Sequence, residues 1–240
     1  MKIRTAVRRL ALAPTLVLFA ACAPRVASGP APVPAPLTLD SLYRLAISDA
    51  AVWRADHVLP LNAARPDPAG KVRVVTFTSW TGYTAGTDSI TRDVWVTLVP
   101  EVRDSCGHFG PDLRVRLNQL LGLPPTAGNT LMVEMTVPVG ALFRPVADPA
   151  VTTRYPCGDS IQAGCGESFP AGVAPAHVQF IVSQLLARWQ VPGGYPWTRL
   201  GYTYNWHPGS PRYGASEYVV RSGAQVEVLS VTPTAEYCRG

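Results

Sequence analysis

Between positions 195 and 220 the chain reads YPWTRLGYTYNWHPGSPRYGASEYVV, which holds seven of the chain's 21 aromatic side chains. Two kinds of chemistry can be built around it. One is acid–base. Glu217 lies near the end of the stretch, and His177 falls in the first turn of a helix predicted upstream, off its apolar stripe. A helix N-terminus disfavours the imidazolium, so His177 there would be a neutral base. With Glu217 as acid or electrostatic partner, and Arg199 or Asn205 holding substrate, the set suits a hydrolase or transferase. The other is binding. On a strand over 202–207, Tyr202, Tyr204 and Trp206 share one side and Thr203, Asn205 and His207 the other. An exposed aromatic side would stack an envelope glycan or hold a protein ligand, with Trp80 and Tyr83 as a lip. A buried aromatic side is core, the commoner fate of such residues, and leaves the polar side open.

The chain has no Gly-x-Ser-x-Gly elbow, no His-Glu-x-x-His and no phosphate loop ending in Gly-Lys-Ser/Thr. Nothing supports a nucleotide or other cofactor. The segment SEYVVRSGAQVEVLSV, 16 residues from Ser216, resembles the glutamate-bearing last strand pair of ADP-ribosyltransferase-like toxin domains. In that family a Glu precedes an apolar strand, a Gly turn and a further strand, and the resemblance implies a catalytic role for Glu217. The chain departs from the pattern at Ala215, where the family has a second Glu, and it lacks the Ser-Thr-Ser strand.

Location is written more plainly. Residues 1–21 carry Lys2, Arg4, Arg8 and Arg9 and then an uncharged run from Leu10 to Ala21, the plan of an export signal too short to span a bilayer. Phe19-Ala20-Ala21-Cys22 resembles the lipobox of bacterial lipoproteins, with Phe19 where Leu is usual. That resemblance implies acylation of Cys22 and a membrane partner reached through lipid. Ala23, in place of the Asp that often retains such lipoproteins at the inner membrane, favours the outer membrane. Residues 22–38 are proline-rich and read as an extended tether. Of five cysteines, removing Cys22 leaves four, which allow three connectivities. The expected pairs are Cys157–Cys165, closing a Gly-containing loop, and Cys106–Cys238, tying down the C-terminus. No Cys-x-x-Cys occurs, so no metal site is expected. Four of the 21 basic residues lie in the signal, leaving 17 against 16 acids, and no basic patch argues for nucleic acid.

The elements that must position these residues fill 39–240, read as one α+β domain with about three helices on a mostly antiparallel or mixed sheet. Helices are expected from Leu39, from Asp112 to the stop at Gly122-Leu123-Pro124, and from Pro175. The last carries an apolar stripe of Val178, Ile181, Val182, Leu185, Leu186 and Trp189. Strands are expected at 71–78, 91–99 and 130–138. The first two should pair around a long polar loop at one end. Three more strands should fill the C-terminal third, the last two joined as a hairpin across 221–224.

Overall fold

β-Branched residues alternating with polar ones at 71–78 and 131–138 make the spine of the fold. In the computed structural model, which describes residues 36–239, β1 (Lys71–Thr78) and β4 (Leu131–Pro138) pair antiparallel from Lys71↔Pro138 to Thr78↔Leu131. The signal segment, Cys22 and the tether up to residue 35 lie outside the described residues. β3 (Val94–Leu98) pairs with the other edge of β1, as the sequence predicts. The remaining strands are β2 (Gly86–Ser89), β5 (Leu142–Phe143), β6 (Tyr202–Tyr204), β7 (Tyr213–Ser216), β8 (Tyr218–Val220) and β9 (Gln225–Pro233). Seven form one antiparallel sheet in the order β2-β9-β4-β1-β3-β8-β5, and β6 with β7 makes a second, two-stranded sheet. The helices are α1 (Leu39–Ala50), α2 (Glu101–Cys106), α3 (Leu113–Leu120), α4 (Pro175–Arg188) and α5 (Thr234–Tyr237). This is a single α+β domain with antiparallel sheets and three substantial helices, α1, α3 and α4.

Two connections differ from expectation. The segment after β1 does not stay at the end of the β1–β3 pair. It crosses to the far edge, where Gly86–Ser89 pairs with β9. Its residues are polar and mostly exposed, so no apolar alternation marks them as a strand. The expected hairpin across 221–224 is absent, because β8 lies between β3 and β5 while β9 lies between β2 and β4. Three strands separate β8 from β9 in the sheet, yet a four-residue link joins them. Such a link reaches about 17 Å, less than the roughly 19 Å that four strand spacings cover in a flat sheet. The sheet therefore curls, and its inner face closes on Val74, Val133, Met135, Tyr218, Val226 and Val228.

The opposite face is covered piecewise. α2, α3 and α5 bury Val102, Leu117 and Tyr237 against Val75 and Met132. Glu134, on this face and 1% exposed, is held by Arg73 of the neighbouring strand and by Arg103 of α2 at 2.6 Å. α3 ends as its sequence predicts. Gly122 is left-handed at φ 66, with its N–H on the Gln119 carbonyl and the Leu123 N–H on that of Asn118. A Cβ at Gly122 would also press within 3.3 Å of the Tyr204 carbonyl. Asp112 precedes α3 without making a side-chain cap bond. α4 buries only part of the stripe read off the sequence: Ile181 is buried and Val178, Leu185 and Trp189 are half-buried, but the inward side is rotated toward His177 and Phe180. His177 and Ile181 are buried and Phe180 packs on Phe143, whereas Val182 is exposed and Leu186 is 71% exposed. The rings of Phe143 and Trp95 are what α4 meets, and the 177/180/181/188 side fits them.

Cys106 is bonded to Cys238 and Cys157 to Cys165, the pairing expected from the sequence. The first closes 132 residues and the second 8. By loop entropy they constrain the unfolded chain by about 5 and about 2.5 kcal/mol respectively. Replacing both cysteines of the long bridge by serine should lower urea-unfolding stability by about 2 kcal/mol more than the same change at the short one. Equal losses would show that loop closure is not what the long bridge contributes.

Candidate functional site

Glu217 occupies the single position between β7 and β8, where the chain leaves the small sheet for the large one. Its N–H binds the Gly201 carbonyl at 3.0 Å. The residue before it is clamped: the Glu101 carboxylate accepts the Ser216 N–H at 2.6 Å and the Ser216 hydroxyl at 2.8 Å. Glu101 stands at the start of α2, so the helix covering the outer face also fixes the crossover. Side chains alternate along the strands. Glu217 is consequently directed into a gap between the two sheets, a cavity of about 260 Å³. Trp95 and Thr97 of β3 and Phe77 of β1 wall it on one side. Thr203 and Tyr204 of β6, with Trp197, wall it on the other, and Arg188 at the end of α4 also lines it.

The cavity is apolar but not satisfied. Glu217 is 9% exposed, and burial pushes its carboxyl up to about 8. The Arg188 charge and the Trp197 indole N–H pull the other way and do not cancel it. The indole lies close enough to favour the carboxylate, but by geometry neither Trp197 Nε1 nor Glu217 Oε2 makes a hydrogen bond. Thr97 Oγ1 is buried and unpartnered as well. Thus three of the ten unpartnered buried side-chain polar atoms among the described residues face one cavity. Each would cost about 1–3 kcal/mol if neither water nor a ligand met it. Their neighbours are satisfied: the Thr203 hydroxyl donates to the Leu120 carbonyl and accepts the Ala215 N–H, and the Tyr204 hydroxyl donates to Asp49 at 2.6 Å.

Aromatic rings frame these atoms rigidly. Trp95 and Trp197 meet edge to face at 6.3 Å. The Arg188 guanidinium lies 4.6 Å over Tyr195 and 5.3 Å over Trp95, with Nε–H donated to Gln184. Arg188 and Glu217 feel each other's charge without forming an ion pair.

The structure does not bring the expected acid–base pair into one cavity. His177 is buried under Phe143, its ring Nε2–H donated to the Val146 carbonyl at 2.7 Å. Burial lowers its pKa and Nδ1 has no partner. It stacks on Phe180, which packs on Trp95, but His177 does not line the Glu217 cavity. Tyr202, Tyr204 and Trp206 are buried, their polar tips on the His57 carbonyl, Asp49 and the Leu123 carbonyl. Thr203 and Asn205 are buried too, because the second sheet has α1 against one face and α3 against the other. The open polar side expected there is therefore absent. His207 is half-buried and bonded to Ser210. Arg199, left-handed at φ 60, lays its guanidinium 4.4 Å over Trp189. Trp80, 57% exposed, and Tyr83 flank a separate cleft with Asp88 and Arg92. Of the residues named from sequence for binding or catalysis, Thr203, Tyr204 and Glu217 line this cavity. Trp95, Thr97, Arg188, Tyr195 and Trp197 were not singled out individually, although the last two lie in the aromatic stretch.

Among the described residues no cluster of three His, Cys, Asp or Glu side chains is placed to hold a metal ion. The chain matches no protein-family model, no curated protein and no solved structure.

A carboxyl raised from 4.5 to about 8 stabilises the folded state fully below 4.5 and loses that contribution as pH rises toward 8. The loss is on the order of 4 kcal/mol. Glu217→Gln should remove this slope. Urea unfolding at pH 5 and pH 8 should show the native protein falling relative to the variant, and parallel behaviour of the two would place the ordinary carboxylate pKa at Glu217.

Proposed function

We propose that the chain is an exported, lipid-anchored protein whose folded domain binds a small organic molecule in the cavity between its two sheets. The observation that carries the binding reading is the group of three unpartnered buried polar atoms, on Thr97, Trp197 and Glu217, in one apolar-walled space. Buried polar groups are nearly always paired, and unpaired ones gathered on a cavity are groups held ready for a ligand. The cavity contains a single carboxyl and no histidine, so it has the make-up of a binding site more than that of an acid–base pair. Export and acylation rest on the signal-like residues 1–21 and on Cys22. The proline-rich tether would hold the domain clear of the membrane surface.

Two measurements test the two halves. Labelled palmitate should enter the protein in a bacterial host and should fail to enter the Cys22→Ser variant; equal labelling of both would overturn the anchor. The neutral dye N-phenyl-1-naphthylamine should bind the soluble domain one to one. Thr97→Trp, which fills the cavity, should abolish that binding while near-ultraviolet circular dichroism shows the fold retained. Undiminished dye binding by that variant would remove the cavity as the site.

A further inference from the structure

The cavity is lined by a carboxyl, Glu217, and a guanidinium, Arg188, that form no ion pair. The side chain of Glu217 is buried, whereas the terminal nitrogens of Arg188 are neither buried nor bonded to a side chain among the described residues. Arg188 is held by its stacking on Tyr195 and Trp95 and by Gln184, so its charge is fixed at the cavity without being neutralised. The cavity walls also include the rings of Trp95, Trp197 and Phe77. Taking the binding reading above as its basis, we propose that the ligand is a small zwitterion of amino-acid type. Its carboxylate pairs with Arg188, its ammonium pairs with Glu217 and Thr97, and an apolar side chain lies against the rings.

The alternatives leave a group unserved. A simple organic cation would meet Glu217 but would sit beside the fixed charge of Arg188. A simple carboxylate would satisfy Arg188 but bring no cation to the buried carboxyl. An amino acid serves both, and desolvation inside the cavity makes each charged contact stronger than it would be at the surface. The charged and titratable groups facing Glu217 in the cavity are Arg188, Tyr195 and Tyr204, while Glu101 lies behind it at Ser216. An incoming amino acid brings two charges: its ammonium beside Glu217 favours ionisation of the carboxyl, while its carboxylate on Arg188 offsets part of the help that guanidinium gives. Binding near pH 7 should then release a proton from a carboxyl that begins protonated.

The test is competition against N-phenyl-1-naphthylamine by L-phenylalanine, 3-phenylpropionate and 2-phenylethylamine, which share one ring and differ in their charged groups. L-phenylalanine should displace the dye at concentrations at least about ten-fold below either half-ligand, as expected for one additional charge-assisted contact. Calorimetry in phosphate and in Tris at pH 7 should report proton release for L-phenylalanine and none for 3-phenylpropionate. Glu217→Gln should reduce L-phenylalanine to the level of 3-phenylpropionate and abolish the proton release, while dye binding persists. If the dye binds and a half-ligand competes as well as L-phenylalanine, the zwitterion proposal is overturned and the cavity remains a binding site. If the dye and all three compounds fail to bind, both fall.

Discussion

The chain from Ser216 to Tyr218 has to serve two sheets at once. Ser216 pairs with Tyr202 in the small sheet, and Tyr218 pairs with Val96 in the large one. The chain must bend between them with no strand partner on either side, and Glu101 holds the bend by accepting both the amide and the hydroxyl of Ser216. Everything that gives the cavity its character follows from this crossover. It separates the sheets far enough to leave a space, and it places one carboxyl in the wall with no choice of direction.

The surroundings make that carboxyl unusual. α3 terminates at Gly122 against the Tyr204 carbonyl, bringing residues 121–123 to the cavity and sealing one end. α4 rests on Phe143 and Trp95 and delivers Arg188. Neither helix offers a hydrogen-bond donor to Glu217 Oε2, so burial outweighs the Arg188 charge and raises the carboxyl to about 8. An unsatisfied carboxyl, hydroxyl and indole N–H cost stability. The domain tolerates them on a frame closed by a long disulfide, a continuous β1–β4 ladder and the double arginine clamp on Glu134.

Long apolar periodicities were legible before any coordinates. β1, β3 and β4, the end of α3 at its glycine, and α4 as an element all sit where alternation or helical spacing puts them. β2 was not legible, because Gly86-Thr87-Asp88-Ser89 carries no buried face and owes its strand to the waiting edge of β9. α2 is six residues long and too short to show a period. The inward side of α4 is only partly legible because apolar side chains surround that helix, and the choice among them is made by Phe143 and Trp95, far away in sequence. The sequence marks Glu217 as the acid partner of His177, a pairing that the fold does not make. The partners of Glu217 in the wall come from β3, the 195–197 loop and the end of α4, a convergence that only the curled sheet and the crossover produce.

The most direct measurement is a titration of the Glu217 side-chain carboxyl by carbon-13 NMR in the ligand-free domain, with Glu217→Gln to assign the resonance. A cavity walled by this buried carboxyl requires a midpoint near 8, the value to which burial raises it. A midpoint in the ordinary carboxylate range near 4.5 would mean that water or an unseen donor reaches the carboxylate, and the site described here would not exist in solution.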